Sequence, residues 1–340
     1  MKTWKKISLM CLALLMICST SVLAVACGGK DYSKIELNEV THSIFYAPLY
    51  VAINNGYFED EGLTVSLTNG GGSDTSMSAL LTGSADIILA GPETVVYTDQ
   101  EGAGDKPMVF GQLTTCDGSF IVSKEDEQDF TLNDLVGETI IGGRNGGLPA
   151  MTLQYIIENS GYTIGTGEDE INLRTDVAFN LTANVWEADE TVKYCTLFEP
   201  TATNVENQGI GYVVASLGEI SGSIPYTCFV AKESYLEDHS DIAEKFLRAV
   251  QKGYDFITTS DVTAVAEALL PSFDGNTLQD MEIAVVQYKA INAWSSDNIL
   301  TEESFNNLMA VMLNAGVITQ ASNWEDCVDN SIAEKLAEEN

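Results

Sequence analysis

The sequence predicts two α/β lobes followed by a helical tail, and three observations carry that expectation. Strand, turn and helix signals alternate between residues 34 and 113. The same rhythm returns between residues 139 and 231. From Ser240 onward, apolar residues recur almost entirely at helical spacing. Alternation of this kind builds layers around a mostly parallel sheet. No Pro- or Ser-rich stretch separates the two blocks, so strands rather than a loose tether are expected to join the lobes. The tail has long apolar faces to bury, and the first lobe is their expected partner.

Taken in order, Lys34 to Val40 reads as a strand, and Ala47 to Asn55 as a helix closed by Gly56. Val65 and Leu67 alternate with polar neighbours, as in a half-buried strand. Gly70, Gly71 and Gly72 lead to Ser73, after which Met77, Leu80 and Leu81 keep helical spacing. Asp86 to Ala90 is a short apolar strand, and Pro92 opens a helix in its first turn. Pro107 to Leu113 is again a strand. In the second block Thr139 to Ile141 reads as a strand, then a glycine-rich turn over 142–147 and a helix from Pro149 to Asn159. Tyr194 to Phe198 is a strand leading through Pro200 into a helix, and Gly211 to Leu217 and Tyr226 to Ala231 are further strands. In the tail, Phe246, Val250, Tyr254 and Ile257 form one stripe, Met281, Val285 and Tyr288 a second, and Phe305, Leu308, Met312 and Leu313 a third.

The first residues are not expected in the fold. Lys2, Lys5 and Lys6 precede an apolar stretch from Ile7 to Val25, which ends in small residues before Cys27. That is the pattern of an export signal covering residues 1–26. Ala24-Val25-Ala26-Cys27-Gly28-Gly29 also resembles a bacterial lipobox, so Cys27 is expected to carry lipid, with 27–34 as its tether; plain cleavage after Ala26 is the alternative. The lobes are expected at 35–117, 118–224 and 225–340, the first and last segments forming one lobe together with the helical tail.

Charge narrows the partners. Sixteen Lys and Arg face 50 Asp and Glu, a net charge of −34 over 340 residues. Nucleic-acid binding is excluded, because its affinity comes from basic side chains neutralising phosphates. Cys116, Cys195, Cys228 and Cys327 are widely spaced and form no CxxC pair, which excludes a zinc ribbon or a redox motif. They could form one or two disulfides in an exported protein, or serve as small buried hydrophobes. The chain has two histidines, His42 and His239, and no HExxH, P-loop or GxSxG signature. No catalytic group, metal or cofactor is expected.

What remains is glycine ahead of helices. Gly72-Ser73 and Gly146-Gly147 each stand between a strand and a helix, in different lobes. A helix start offers unpaired N–H groups, and glycine lets a ligand approach the backbone. Open α/β sheets bind ligands at the carboxyl ends of their strands, where such turns lie. Two such turns on opposing lobes point to a cleft between them.

The run His42-Ser43-Ile44-Phe45-Tyr46-Ala47-Pro48-Leu49-Tyr50-Val51-Ala52, with Gly56-Tyr57-Phe58 and Glu61-Gly62-Leu63, resembles the nitrate/sulfonate/taurine/thiamin-pyrimidine group of ABC-importer solute-binding proteins. Leu80 to Asp86, Gly137 to Ile140 and Phe198-Glu199-Pro200 extend the resemblance over roughly residues 35–260. It implies a two-lobed periplasmic-binding-protein fold of type II, crossed twice by the chain. It also implies a monomeric lipid-anchored receptor on the outer face of the cytoplasmic membrane, working with a permease and an ATPase. The pyrimidine synthase similar to this group uses a cysteine-rich run and a histidine donor. Tyr194-Cys195-Thr196-Leu197-Phe198 holds a single cysteine there, so an enzyme is not expected, and a sensor lipoprotein without transport is a further alternative.

Two ligand classes fit such a receptor. A small organic anion wants arginine, and Arg144 lies in the glycine turn. A flat heterocycle wants aromatic faces and a few hydrogen-bond partners. His42, Phe45, Tyr46, Phe179 and Trp186 could supply the faces, and Asn180, Glu187 and Glu199 could accept from an amino group. The heterocycle, of thiamin-pyrimidine type, is the favoured expectation. His42 is expected to face the cleft because it follows the first strand.

Overall fold

The computed structural model describes residues 32–102 and 104–339, so the expected export signal and Cys27 lie outside the described residues. The first sheet contains β1 (Ser33–Glu39), β2 (Leu63–Asn69), β3 (Ile87–Ala90), β4 (Pro107–Thr114) and β10 (Thr227–Lys232). The second contains β5 (Ser119–Ser123), β6 (Thr139–Ile141), β7 (Asn172–Arg174), β8 (Tyr194–Phe198) and β9 (Tyr212–Ser216). Their orders are β2-β1-β3-β10-β4 and β7-β6-β8-β5-β9. In each sheet one strand runs against its neighbours: β10 between β3 and β4, and β5 between β8 and β9. Each of these strands is the first to form after the chain has crossed between lobes.

Central strands are covered on both faces by helices and therefore read as continuous apolar runs. Every residue of β3 is buried, as are Ile35 and Leu37 of β1. The helices of the first lobe are α1 (Ala47–Asn54), α2 (Ser73–Thr82) and α3 (Glu93–Gln100), and those of the second are α4 (Leu148–Asn159), α5 (Thr182–Ala188) and α6 (Thr201–Asn207). Apolar periodicity overreaches at two positions, since Leu81 lies on the exposed side of α2 and Leu313 on the exposed side of the tail helix over Glu302–Asn314.

The tail contains α7 (Ser240–Thr259), α8 (Val262–Leu269), α9 (Leu278–Ala290), α10 (Glu302–Asn314) and α11 (Ser331–Glu339). α7 lies so close to α1 that a Cβ on Gly253 would stand 2.1 Å from the Pro48 carbonyl oxygen. The tail covers the first lobe and also touches the second. Asn207 donates to Asp280 at 2.7 Å, and Asn314 to Glu158 at 2.8 Å. Tyr288 donates to the Gly118 carbonyl at 3.1 Å and accepts from the Glu199 amide at 3.1 Å.

The two crossings run side by side, joined by Ile224 N–H to Thr115 O at 2.9 Å and Tyr226 N–H to Thr114 O at 3.2 Å. Glycine makes this approach feasible: a Cβ on Gly218 would meet the Asp117 carbonyl oxygen at 2.4 Å. Cys116, Cys195, Cys228 and Cys327 are all free and buried, so they pack as small apolar residues rather than pairing as disulfides. Among the described residues, no helix is long and apolar enough to cross a membrane.

Candidate functional site

The carboxyl ends of the parallel strands in both sheets meet across a cavity of about 310 Å³. From the first lobe, β1 leads into Val40 and Thr41, β2 into Gly71 and Gly72, and β3 into Gly91, all on the cavity wall. From the second lobe, β6 leads into Arg144, Gly146 and Gly147, while β8 ends at Phe198. Tyr226 and Thr227, where the chain returns to the first lobe, complete the floor. Five rings set the character of the lining: Tyr46, Tyr97, Phe179, Phe198 and Tyr226.

The lobes are clasped over this cavity. Arg144 reaches Asp74 through two parallel hydrogen bonds, of 3.1 Å from Nη1 and 2.7 Å from Nη2. Tyr97 donates to the Gly146 carbonyl at 3.0 Å. The Arg144–Asp74 pair is well exposed, so it contributes about 1 kcal/mol at most. The Arg144 guanidinium holds the Asp74 carboxyl below its usual range. Because that planar fork is spent on Asp74, little of it is left to grip an anion.

Glu93 is the buried charge candidate of the site. It opens α3, is 1% exposed, and its Oε2 has no hydrogen-bond partner among the described residues. The carboxyl lies over Gly91, where a Cβ would stand 1.9 Å from Oε2. Burial pushes its pKa up to about 7, against the opposing pull of its own amide, the Ser73 hydroxyl, the Leu148 amide and the Arg144 charge.

Of the residues singled out in the sequence, Tyr46, Gly72, Ser73, Arg144, Gly146 and Gly147 lie on the cavity wall, as does Phe179. Five others do not. His42 turns back toward its own lobe, with Nδ1 2.9 Å from Glu39 and Nε2 2.6 Å from the Ser272 carbonyl oxygen. It does so because Glu39 is only 2% exposed and needs donors, which His42 and the Tyr50 hydroxyl supply. Phe45 is fully buried against Tyr226 and Tyr288, since the short 3-10 turn over Ile44–Tyr46 sends it into the core. Trp186 is buried in the second lobe and donates to the Lys193 carbonyl at 3.1 Å. Glu199 is buried too, but its carboxylate accepts the Thr203 amide and hydroxyl at 3.0 and 2.9 Å, capping α6. Asn180 is exposed on the 3-10 turn before α5, outside the cavity lining. Glu187 is likewise exposed and off the wall.

Sequence reasoning missed Glu93, Thr94, Tyr97 and Asp74. Pro92-Glu93 reads as an ordinary helix opening, because an acid is favoured in any first turn. The pairing of Asp74 with Arg144 spans 70 positions and leaves no local signature.

Comparison with known proteins adds four findings. The model of the family described as NMT1/THI5 like matches residues 44–264. Over 339 residues, covering 100% of each chain, the sequence is 36% identical to YtlA of Bacillus subtilis (strain 168), a suspected binding protein. It is 25% identical over 295 residues to the formylaminopyrimidine-binding protein of Halalkalibacterium halodurans, covering 83% of this chain and 84% of the relative. Among solved structures, the periplasmic nitrate-binding protein NrtA of Synechocystis PCC 6803 superposes with a TM-score of 0.70 at 13% identity, covering 91% of this chain and 89% of that one. At that identity the likeness is one of fold.

Proposed function

The chain belongs to the NMT1/THI5-like family and has the two-lobed periplasmic-binding-protein fold, and from this premise we infer that it is the solute receptor of an ABC importer. It captures a small molecule between its lobes and hands it to a permease driven by an ATPase. The observation that carries this reading is the enclosed cavity at the carboxyl ends of both sheets, walled by strands from each lobe. Nothing about the cavity requires chemistry. Its rings could sandwich a solute.

A flat heterocycle of thiamin-pyrimidine type suits the site better than a sulfonate or nitrate. The lining offers Tyr46, Tyr97, Phe179 and Phe198 as faces, and its one cation, Arg144, is held by Asp74. A buried acid, Glu93, would repel an anion. The formylaminopyrimidine named for the relative in Halalkalibacterium halodurans belongs to this class of solute. Mass spectrometry of the small molecule released on denaturing the purified protein tests this, together with thermal-shift screening. A pyrimidine at a hundredfold excess over Kd should add about 2.7 kcal/mol of stability. A shift with an alkanesulfonate or nitrate, and none with pyrimidines, would transfer the reading to an anion receptor.

Cys27 would tether the receptor through lipid on the outer face of the cytoplasmic membrane. Stable anchoring takes more than one acyl chain, and nothing else in the sequence after the export signal supplies a span. Cys27→Ala is expected to move the protein from the membrane fraction to the soluble fraction with its melting temperature unchanged. Retention on membranes after a salt wash would remove the lipid anchor from this reading.

A further inference from the structure

We propose that Glu93 recognises an amidine-type edge of the solute, an amino group adjacent to a ring nitrogen, through two hydrogen bonds that share one proton. The proposal rests on the cavity being the solute site and names the chemistry it selects. Three observations carry it. Glu93 lines the cavity and is 1% exposed, with Oε2 unpartnered among the described residues. Gly91 leaves the space that the carboxyl occupies, and any side chain there would displace it. Around it stand rings, the Ser73 hydroxyl and the amide of Leu148, and the one charge that acts on it from the second lobe, Arg144, is itself paired with Asp74. A buried acid left in this state is costly unless a ligand completes it.

A carboxyl group and an amidine edge complement each other in both positions. One carboxyl oxygen accepts from the amino group, and the other meets the ring nitrogen across a single proton. The proton resides on the acid or on the ring without changing the geometry. Neither a sulfonate nor a nitrate can donate to Glu93, so in its ionised form the same group that selects the heterocycle rejects those anions.

The shared proton sets a pH signature. Burial raises the Glu93 pKa to about 7 in the free protein. Above that value a neutral aminopyrimidine must bring a proton into the complex, so affinity should fall by about tenfold per pH unit. Other groups that feel Glu93 are Arg144 from the second lobe and Tyr46, Tyr97, Tyr226 and Cys228 from the first. Arg144 stays charged, while burial pushes the three tyrosines and Cys228 up, so none of them changes charge between pH 6 and 8. Asp74, held low by Arg144, stays ionised.

The test is calorimetric titration of 4-amino-2-methylpyrimidine into the wild-type protein, Glu93→Gln and Gly91→Ala between pH 6 and 9. Wild-type affinity should weaken steadily above pH ~7. Glu93→Gln should show a flat profile, because its amide accepts from the amino group and donates to the ring nitrogen without taking up a proton. Gly91→Ala should do the same by displacing the carboxyl, which guards against a folding defect peculiar to one variant. Wild-type-like pH dependence in Glu93→Gln would overturn the proposal and leave the cavity as a heterocycle site. Wild-type protein that ignores the pyrimidine but binds methanesulfonate would overturn both.

Discussion

Trp186→Ala should lower the stability of the protein by about 3–5 kcal/mol while leaving solute affinity intact below its melting temperature. The indole is fully buried in the second lobe, donates to the Lys193 carbonyl at 3.1 Å, and has the Lys124 ammonium 5.5 Å from its ring centre. It fills the space opposite Gly211, where a Cβ would stand 2.4 Å from the ring. Truncation therefore leaves a cavity that surrounding strands cannot close, and it removes one of the two donors to the Lys193 carbonyl, the other being the Lys124 amide at 3.1 Å. Chemical denaturation followed by far-ultraviolet circular dichroism reads the loss. The sequence alone suggested a different role for this ring, as a face of the ligand site. A variant that melts like the wild type yet no longer binds would restore that role.

His42→Ala should cost stability in a pH-dependent way and spare binding. Both ring nitrogens face acceptors, the Glu39 carboxylate and the Ser272 carbonyl, so the ring is best satisfied when both are protonated. The hydrogen bond to Glu39 accordingly raises the His42 pKa above its ordinary value. A raised pKa means that the folded state holds this proton more tightly than the unfolded chain. The stabilisation is thus fully present below pH ~6.5 and is lost as pH rises through the folded pKa. Removing the ring leaves Glu39 buried with the Tyr50 hydroxyl as its remaining side-chain partner, at a cost of about 1–3 kcal/mol. Melting curves of the variant and the wild type at pH 5.5 and pH 9 should differ most at the lower value. An unchanged melting temperature with weakened binding would return His42 to the cleft.

Much of the architecture is legible in the sequence because parallel strands advertise themselves. Ile87 to Ala90 and Tyr194 to Phe198 are apolar runs bounded by turn residues, and both are strands buried along their length. The glycine turns are legible for a related reason, since a ligand-accessible backbone needs residues without side chains. Gly72, Gly146 and Gly147 all come to the cavity wall. By contrast, β7 is three half-buried residues at a sheet edge, too short and too polar to show a period. β5 holds only Phe120, Ile121 and Val122 between two serines, and its burial comes from pairing with β8 and β9.

Side-chain direction was the harder matter. Thr41 and Tyr46 line the cavity while His42 and Phe45, one position away from each, turn from it. In an irregular turn followed by a 3-10 segment, neither a period of two nor one of 3.6 assigns faces. Glu93 was hidden for a different reason. Its burial depends on the second lobe bringing Leu148 and Arg144 over α3, a contact between segments about fifty residues apart. Composition cannot distinguish such an acid from the many solvated ones in a chain with 50 acidic residues.

The measurement that bears most directly on the site itself is a titration with the cavity blocked. Ala178 is exposed, lines the cavity and has extended backbone torsions, so a tryptophan there enters the cleft without disturbing the core. Calorimetry of an aminopyrimidine against the wild type should show one molecule bound per chain. Against Ala178→Trp the affinity should fall by at least about tenfold, a loss of ~1.4 kcal/mol, with an unchanged ligand-free melting temperature. Equal affinity in the two proteins would place the solute elsewhere and contradict the assignment of the interlobe cavity.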